Sequence, residues 1–278
     1  MNSFTEDSSW IYYAIRSAIF AGDAILNVYN QEFDVHIKED NSPLTQADLE
    51  SDKIISKYLK TTPFPFISEE TAATPYHERK KWKKFWLVDP LDGTKEFVGK
   101  NGEFTVNIAL IDSNYPIAGI IYIPVVDELY YSYKGMGVFK SSGRQFLDFT
   151  MEDFIADEIK IKSTPLNEGF IRAYGSRSHQ NKNTIDFLEK LALKRNEKLD
   201  LKSVGSSIKF CYLAEHCAHV YPRFSPTMEW DTAAGQAILE ESGGKLTIAY
   251  SNERLTYNKE ILLNPSFVAF AALVDYLY

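Results

Sequence analysis

The chain has 278 residues, of which 45% are hydrophobic and 24% charged, the composition of an ordinary globular protein with room for one large domain or two lobes. Its formal net charge of −8 argues against nucleic acid or an anionic membrane surface as a bulk partner. Two cysteines, Cys211 and Cys217, exclude a disulfide framework and favour a reducing cytoplasm. Neither a signal peptide nor an apolar run of the ~20 residues that a spanning helix needs is predicted.

The N-terminal part of the chain begins with a predicted helix and a predicted strand. Apolar residues at helical spacing predict the helix over residues 8–30, with Ser8 or Ser9 as its cap. Residues 33–38 alternate in polarity and therefore predict a short strand or one arm of a hairpin.

A second helix is predicted to start after Thr45. Thr45 precedes Asp48 by three positions, which resembles a capping box with Asp in place of the usual Glu. On these local grounds Asp48 is a residue of the first helical turn, where the helix dipole favours a carboxylate.

Paired glutamates follow the next apolar segment. Residues 63–67 predict a strand that leads into Glu69 and Glu70. Such a pair is usually solvated, and these residues alone favour that interpretation over a functional one. Residues 71–84 are polar and basic and predict a mobile surface loop.

The most informative stretch is the end of the strand predicted over residues 85–88. Asp89 and Asp92 follow it three positions apart, and Pro90 and Gly93 force a tight turn between and after them. Oxygen ligands placed together in this way suit hard divalent cations, Mg²⁺ above all. A turn in which both aspartates hydrogen-bond local amides is the alternative, and these residues alone leave it open.

The rest of the chain divides into a meander and an alternating region. Residues 104–140 predict an antiparallel meander, and the weak pattern over 141–165 places a boundary between an N-terminal α+β lobe, 1–150, and a C-terminal α/β lobe, 151–278. The second lobe alternates strands and helices, which indicates a layered arrangement. Its strands are predicted at 169–173, 199–204, 219–221, 245–249 and near 260–263, and its helices at 183–195, 207–216, 231–242 and 267–277.

A third acidic junction lies at the start of one of these helices. Asp231 begins a helix whose first turn is built from small residues, and such an N-terminus favours an anion such as phosphate, although a plain N-cap explains it equally. Together, Glu69, Asp89, Asp92 and Asp231 could surround two or three Mg²⁺ ions that clamp a phosphate and lower the pKa of a bound water. Thr94 would supply a hydroxyl to aim that water.

Three motifs resemble those of the inositol monophosphatase-like, Mg²⁺-dependent and Li⁺-sensitive phosphatases. Residues 89–94, Asp-Pro-Leu-Asp-Gly-Thr, and residues 230–235, Trp-Asp-Thr-Ala-Ala-Gly, resemble the two signatures of that family, and residues 68–70, Ser-Glu-Glu, resemble its third ligand segment. The resemblance covers most of the chain, from about residue 10 to about residue 270. It implies an α/β fold, an αβαβα five-layer sandwich of the sugar phosphatase type.

The resemblance also implies roles for individual residues. It gives Glu69, Asp89, the carbonyl of Leu91, Asp92 and Asp231 as ligands of two or three Mg²⁺ ions. It gives Asp48 and Thr94 as the pair that activates the nucleophilic water, in place of the capping role that local grounds favour for Asp48. The amides of Gly93 and Thr94 would hold the scissile phosphate at a helix start. Substrate contacts are further implied for Glu69, Leu91, Asp92 and Asp231.

The choice of substrate depends on other residues. A nucleoside bisphosphate carries a second phosphate, which needs cations away from the metals. Ser206 and Lys209, at i and i+3, would share one helix face, and Arg223 follows on the next strand. In the nucleotidase branch of the family, residues at such positions and at His179 contact the nucleotide, and the Lys-Glu-Phe sequence at 95–97 is also nucleotidase-like. For Lys209 and Arg223 an ordinary surface position is the alternative.

The expected activity is hydrolysis of the 3'-phosphate of adenosine 3',5'-bisphosphate, or of its sulfated form, to give a mononucleotide and phosphate in nucleotide recycling and sulfur assimilation. Water is the nucleophile, so no phosphoenzyme is expected. Hydrolysis of an inositol or other sugar phosphate on the same metal site is the alternative. A nucleotide-binding module without turnover is a third candidate. The presence of all the expected ligands argues against this third candidate.

Two further expectations concern inhibition and location. The resemblance implies inhibition by lithium, and it implies peripheral association with the inner face of the cell membrane. The acidic balance and the lack of an amphipathic anchor give the membrane association no independent support. The sequence indicates no oligomeric state.

Overall fold

The computed structural model describes residues 6–38, 42–71, 74–150, 169–178 and 181–272, and it shows a mixed α/β fold. Its helices are α1 (Glu6–Tyr29), α2 (Gln46–Leu59), α3 (Tyr76–Arg79), α4 (Thr94–Val98), α5 (Gly143–Leu147), α6 (Lys182–Arg195), α7 (Ile208–Ala214) and α8 (Trp230–Glu241). Its strands are β1 (Val35–Ile37), β2 (Pro43–Thr45), β3 (Phe66–Ser68), β4 (Lys84–Asp92), β5 (Thr105–Asp112), β6 (Tyr115–Ile123), β7 (Glu128–Tyr133), β8 (Gly137–Ser142), β9 (Phe170–Ser176), β10 (Lys198–Val204), β11 (Val220–Arg223), β12 (Lys245–Ile248) and β13 (Phe267–Phe270).

The strands form two large sheets and one hairpin. The first sheet has the order β3-β4-β5-β6-β7-β8; β3 and β4 pair in parallel and the following pairs are antiparallel, which confirms the predicted meander. The second sheet has the mixed order β10-β9-β11-β13-β12. The hairpin pairs β1 with β2, so the segment predicted as a hairpin arm is one.

Alternating side chains of β4 show how the layers are built. Trp86 and Val88 point into a core shared with α1 and α2, whereas Phe85 and Leu87 point into a second core shared with α7, α8 and the second sheet. A third core lies between the second sheet and α6. Because successive strand residues face opposite sides of a sheet, this single strand belongs to two cores. The result is the predicted αβαβα sandwich.

Two predictions for the N-terminal half are wrong. Helix α1 begins at Glu6, so neither Ser8 nor Ser9 precedes it as a cap. Residues 71–84 are not a plain solvated loop, because they contain α3 and because Arg79 is buried. A guanidinium this deeply buried needs acceptors, and it finds them in carbonyl groups of the segment near residue 260.

Two predictions for the C-terminal end are also wrong. Residues 260–263 form no strand, and Leu263 contributes a single bridge to Met228. Residues 267–270 form strand β13 instead of the start of a helix, while residues 273–277 of that predicted helix lie outside the described residues. All four residues of β13 are buried between β11 and β12. Short apolar runs of this kind fit a buried strand as well as a helix, so periodicity cannot separate the two.

The predicted boundary between two lobes falls at the edge of the described residues. Residues 151–165 of the weakly patterned segment lie outside the described residues, and the residues just before them include α5. The division at 150/151 therefore stays a prediction. No helix in the described ranges combines the length and the hydrophobicity that crossing a membrane would require.

Candidate active site

The start of helix α2 is closed by the predicted capping box. Thr45 accepts a hydrogen bond from the N–H of Ala47 at 3.2 Å, and Asp48 Oδ2 accepts from both the N–H and the hydroxyl of Thr45 at 2.7 Å. The other oxygen of that carboxylate, Oδ1, lies 3.1 Å from the hydroxyl of Thr94. Burial raises the pKa of Asp48, in spite of these hydrogen bonds to its charged form.

The acidic turn after β4 is shaped by Gly93. Gly93 has φ = +93°, a left-handed conformation that side chains rarely adopt, and a Cβ there would lie 3.0 Å from the carbonyl oxygen of Glu103. This geometry directs the chain into α4, whose first residue is Thr94. A Cβ at Gly205 would meet the same Glu103 carbonyl at 2.8 Å. The absence of a side chain at both glycines therefore allows the backbone to pack closely against Glu103.

The turn hydrogen bonds of the two aspartates differ. Asp89 Oδ1 accepts from the N–H of Leu91 at 3.1 Å, as the turn interpretation predicted. Asp92 Oδ2 instead accepts from the side-chain amide of Asn107 on β5, at 3.3 Å. A local turn therefore accounts for part of the bonding of Asp89 but leaves Asp92 unexplained. Sequence reasoning missed Asn107, since an amide inside an apolar strand carries no signal of its partner.

Most of the predicted site residues line one cleft of about 590 Å³. The lining includes Glu69, Asp89, Leu91, Asp92, Gly93, Thr94, Ser206, Lys209, Arg223 and Asp231. Asp48 stands behind this lining and reaches the cleft through Thr94. His179 lies outside the described residues, so its predicted contact cannot be placed.

The ionised forms of the three aspartates of the cleft are disfavoured by burial and by neighbouring carboxylates. Burial, together with the charges of Glu69 and Asp92, raises the pKa of Asp89 well above its usual range. Burial and the charge of Asp92 do the same to the pKa of Asp231. For Asp92, burial raises the pKa to about 6 even though the cation of Lys209 acts in the opposite direction. The positive charge of the neighbouring side chains is therefore too small to offset burial at these carboxyl groups.

The chemistry of the donors fits Mg²⁺, although the side chains do not yet surround an ion. Within the described ranges, no three acidic, histidine or cysteine side chains converge as ligands of one ion in their present positions. Glu69 is turned to Lys38, whose ammonium lies 2.8 Å from Glu69 Oε1 and 2.7 Å from Glu70 Oε1. An all-oxygen donor set with excess negative charge is nevertheless what a hard divalent cation requires.

Lys38 is a second residue that sequence reasoning missed. It ends the hairpin arm, and nothing in the alternation of that segment indicated an ionic partner. Burial acts to lower its pKa, but the charges and hydrogen bonds of Glu69 and Glu70 outweigh burial and raise it. Burial also raises the pKa of Glu70 to about 6. Glu70, which had no predicted role, is thus the partner of a cation at the mouth of the site.

A second group of polar residues lies in the same cleft, around Lys209. Lys209 is 3% exposed, and its ammonium donates to the carbonyl of Val204 at 3.0 Å and to the carbonyl of Ser206. Burial lowers its pKa to about 8. Arg223 is 8% exposed and donates through Nη2 to the carbonyl of Pro226 at 3.3 Å. The surface position considered for both cations is therefore excluded.

Two atoms of this second group have no hydrogen-bond partner. Among the described residues, neither the hydroxyl of Ser206 nor the Nε of Arg223 makes a hydrogen bond, although both atoms are buried. The prediction that Ser206 and Lys209 share a helix face is wrong, since α7 begins at Ile208 and Ser206 precedes it with φ = +43°. Both residues still line the cleft, because the left-handed backbone at Ser206 turns the chain back toward Lys209.

Known proteins resemble this chain in sequence and in fold. The inositol monophosphatase family model matches residues 6–276. The 3'(2'),5'-bisphosphate nucleotidase CysQ of Escherichia coli K12 is 40% identical over 254 residues, which cover 89% of this chain and 94% of that protein. CysQ of Salmonella typhimurium LT2 is 39% identical over the same length and coverage. The crystal structure of CysQ from Bacteroides thetaiotaomicron, a bacterial member of the inositol monophosphatase family, superimposes with a TM-score of 0.85 and 43% identity and covers 97% of this chain and 98% of its own.

Proposed function

Because the chain belongs to the inositol monophosphatase family, we propose that it is a Mg²⁺-dependent 3'(2'),5'-bisphosphate nucleotidase. It would hydrolyse the 3'-phosphate of adenosine 3',5'-bisphosphate to give AMP and inorganic phosphate, with the sulfated form of that nucleotide as a second substrate. Relatives of about 40% identity that bear this name support the proposal.

The observation that carries the choice of substrate is the pair of unpartnered atoms near Lys209. The hydroxyl of Ser206 and the Nε of Arg223 are buried donors of two residues that line the cleft, and in the described structure neither atom makes a hydrogen bond. An unmade hydrogen bond of this kind costs about 1–3 kcal/mol. A second phosphate would satisfy both donors and would compensate the charges of Lys209 and Arg223. A sugar monophosphate, held by its single phosphate at the aspartates, would leave them unsatisfied.

The metal site would be formed by Glu69, Asp89, the carbonyl of Leu91, Asp92 and Asp231, holding two or three Mg²⁺ ions. The raised pKa values of Asp89, Asp92 and Asp231 support this, because burial disfavours their ionised forms and the side chains around them do not offset it. When bound, the ions would supply the charge that activates a water molecule and stabilises the leaving ribose oxygen.

The chain's own residues would handle the proton of the attacking water. The hydroxyl of Thr94 donates to Asp48 Oδ1 at 3.1 Å, so its lone pairs remain to accept a hydrogen bond from water in the cleft. A proton that passes from that water to Thr94 would move on to Asp48. Burial raises the pKa of Asp48 and so makes it a better proton acceptor than an exposed aspartate. The amides of Gly93 and Thr94 would orient the scissile phosphate.

A substrate panel in the presence of Mg²⁺ tests the proposal. The initial rates to compare are those for adenosine 3',5'-bisphosphate, its sulfated analogue and inositol 1-phosphate. We expect kcat/KM for the bisphosphate to exceed that for inositol 1-phosphate by at least about 100-fold, the equivalent of about 2.7 kcal/mol of transition-state binding. Equal values would support the sugar-phosphate alternative.

We also propose a cytoplasmic location. Cys211 and Cys217 are both free thiols, which fits a reducing compartment. The peripheral association with the membrane and the inhibition by lithium that the family resemblance implies stay predictions.

A further inference from the structure

Helix α2 presents three buried polar side chains on one face. Asp48, Ser51 and Asp52 stand at positions i, i+3 and i+4 and are therefore neighbours on the helix surface. Their exposed fractions are 3%, 0% and 9%. Polar side chains buried to this extent need hydrogen-bond partners. The identity of those partners indicates the structural role of this helix face.

Each of the three side chains bonds to a different segment of the site. Asp48 accepts from Thr94, as described above. Ser51 donates to the carbonyl of Pro90 at 2.6 Å, inside the acidic turn. Asp52 Oδ1 accepts from the hydroxyl of Ser68 at 2.5 Å, on the residue before Glu69. One helix face thus joins Thr94 to the two segments, around Glu69 and over residues 89–92, that contain four of the five proposed metal ligands.

These bonds lie where the pairing of the first sheet stops. The parallel register of β3 on β4 ends at Ser68 opposite Val88, one residue before Glu69 and Asp89. The antiparallel pairing of β4 with β5 is irregular between Asp89 and Asp92. Within the described residues, pairing with β5 holds Asp89 opposite Asn107 and Asp92 opposite Thr105, but the register of these strands pairs neither Glu69 nor Pro90 nor Leu91. Ser51 and Asp52 bond at Pro90 and at Ser68, which are among or next to these unpaired positions.

We propose that Ser51 and Asp52 are positioning residues that set the distance between Glu69 and the 89–92 turn, and through it the affinity of the site for divalent cations. The inference rests on the proposed function for the identity of the metal ligands. Neither residue lines the cleft, so neither touches substrate or ion directly. Outer-shell partners of this kind typically change metal affinity by about 10–100-fold when removed.

The test is direct binding of Mn²⁺, followed by electron paramagnetic resonance, to the full chain without substrate. We expect Ser51→Ala and Asp52→Ala each to weaken Mn²⁺ binding by about 10-fold or more. Asp52→Asn keeps an oxygen that accepts from Ser68 and should restore most of the affinity. In kinetics, the Mg²⁺ concentration for half-maximal activity should rise by a similar factor, while the KM for nucleotide at saturating Mg²⁺ changes little.

Ser17→Ala is the matched control. Ser17 is fully buried in α1 and donates to the carbonyl of Ala14 at 2.7 Å, so its removal costs a comparable hydrogen bond away from the site. Wild-type Mn²⁺ affinity in Ser51→Ala and Asp52→Ala, with only a loss of melting temperature as in the control, would overturn the inference. Ser51→Ala removes a single oxygen and carries the test if Asp52→Ala does not fold.

The result also separates this inference from the proposed function. Absence of Mn²⁺ binding by the wild-type chain overturns the metal site and this inference with it. Weakened Mn²⁺ binding in the two variants, combined with no preference for the bisphosphate in the wild type, supports the positioning role and overturns the proposed substrate alone.

Discussion

The hydroxyl of Thr94 lies 3.1 Å from Oδ1 of Asp48, while Oδ2 of the same carboxylate accepts from both polar groups of Thr45. The two roles considered for Asp48, helix cap and water activation, are therefore not exclusive, because each uses a different oxygen. The hydrogen bonds of the cap to Oδ2 hold the carboxylate in the orientation in which Oδ1 accepts from the hydroxyl of Thr94.

The two roles can be separated by mutation. Thr45→Ala removes the cap and is expected to destabilise the protein by about 0.5–2 kcal/mol while leaving most of the activity. Asp48→Asn keeps the shape but cannot take the proton, and it should lower kcat by about 100–10,000-fold. Thermal unfolding and initial rates at saturating Mg²⁺ measure the two effects. A Thr45→Ala variant as inactive as Asp48→Asn would show that Asp48 acts mainly through the helix start.

The pH dependence of nucleotide binding should report Lys209. Its pKa is lowered to about 8 by burial, so the ammonium is charged below that pH and neutral above it. We expect the KM for adenosine 3',5'-bisphosphate to rise as the pH increases through about 8, while the KM for inositol 1-phosphate does not follow the same curve. Lys209→Arg keeps its charge throughout this range and should move the rise to higher pH. An unchanged profile in Lys209→Arg would contradict the assignment.

Arg223 should matter for the second phosphate only. Removal of one charged hydrogen-bond donor costs about 1.5–3 kcal/mol, so Arg223→Ala is expected to lower kcat/KM for the bisphosphate by about 10–150-fold. Activity on inositol 1-phosphate, measured with the same preparation, should change much less. Arg254→Ala, which removes an exposed arginine paired with Glu240 away from the cleft, is the control and should behave as wild type on both substrates. Equal losses on both substrates would place Arg223 outside the subsite.

Divalent cations should stabilise the protein more at neutral than at acidic pH. The folded-state pKa of Asp92 is raised to about 6, so its contribution to stability is fully present below the pKa of the unfolded chain, near 4, and is lost as the pH rises through about 6. Bound Mg²⁺ would compensate the negative charge of the ionised Asp92 carboxylate at higher pH. The increase in melting temperature produced by Mg²⁺ relative to EDTA should therefore be larger at pH 7.5 than at pH 5. In Asp92→Asn the increase in melting temperature produced by Mg²⁺ should differ less between pH 7.5 and pH 5. If the difference persists in that variant, other carboxylates cause it.

Glu229 should be a strong determinant of stability. It is fully buried at the N-terminus of α8 and accepts from the N–H groups of Asn258 at 2.6 Å and Lys259 at 2.9 Å. Glu229→Ala leaves these donors unsatisfied, and we expect a loss of at least about 2 kcal/mol in the free energy of unfolding by urea. Glu253→Ala, at an exposed position, should change it by no more than about 0.5 kcal/mol. A loss below about 1 kcal/mol for Glu229→Ala would mean that water replaces the carboxylate.

The local chemistry of the site was predictable from the sequence, and its assembly was not. Proline, glycine and two aspartates after an apolar strand indicate an acidic turn by their own conformational preferences. The distance from Asp92 to Asp231 along the chain carries no information about their distance in space. Their position at the ends of predicted elements suggested a shared metal site, and the family resemblance gave them as ligands together. The bond from Lys38 to Glu69 is a tertiary contact without a sequence pattern, and it was missed for the same reason.

Errors arose where burial overrode local pattern. Lys209 and Arg79 are long cations that normally lie at the surface, yet both are buried, because backbone carbonyls accept from them. Strand β13 has the composition of a buried helix and becomes a strand only because the second sheet offers it two neighbours. The sequence pattern determines which side chains are apolar but not which partners surround them.

The crowding of Gly93 and Gly205 around the Glu103 carbonyl limits how this enzyme scaffold can be re-engineered. A methyl group at Gly205 would lie 2.8 Å from the Glu103 carbonyl oxygen, and one at Gly93 would lie 3.0 Å from it on a backbone with φ = +93°. Substitutions at these two positions are therefore a poor route to a different substrate. The cleft lining also includes Leu263, which is 44% exposed and lies in a segment without regular secondary structure. Libraries aimed at a new leaving group are best directed there, where side chains of different sizes can be exchanged without moving the catalytic frame.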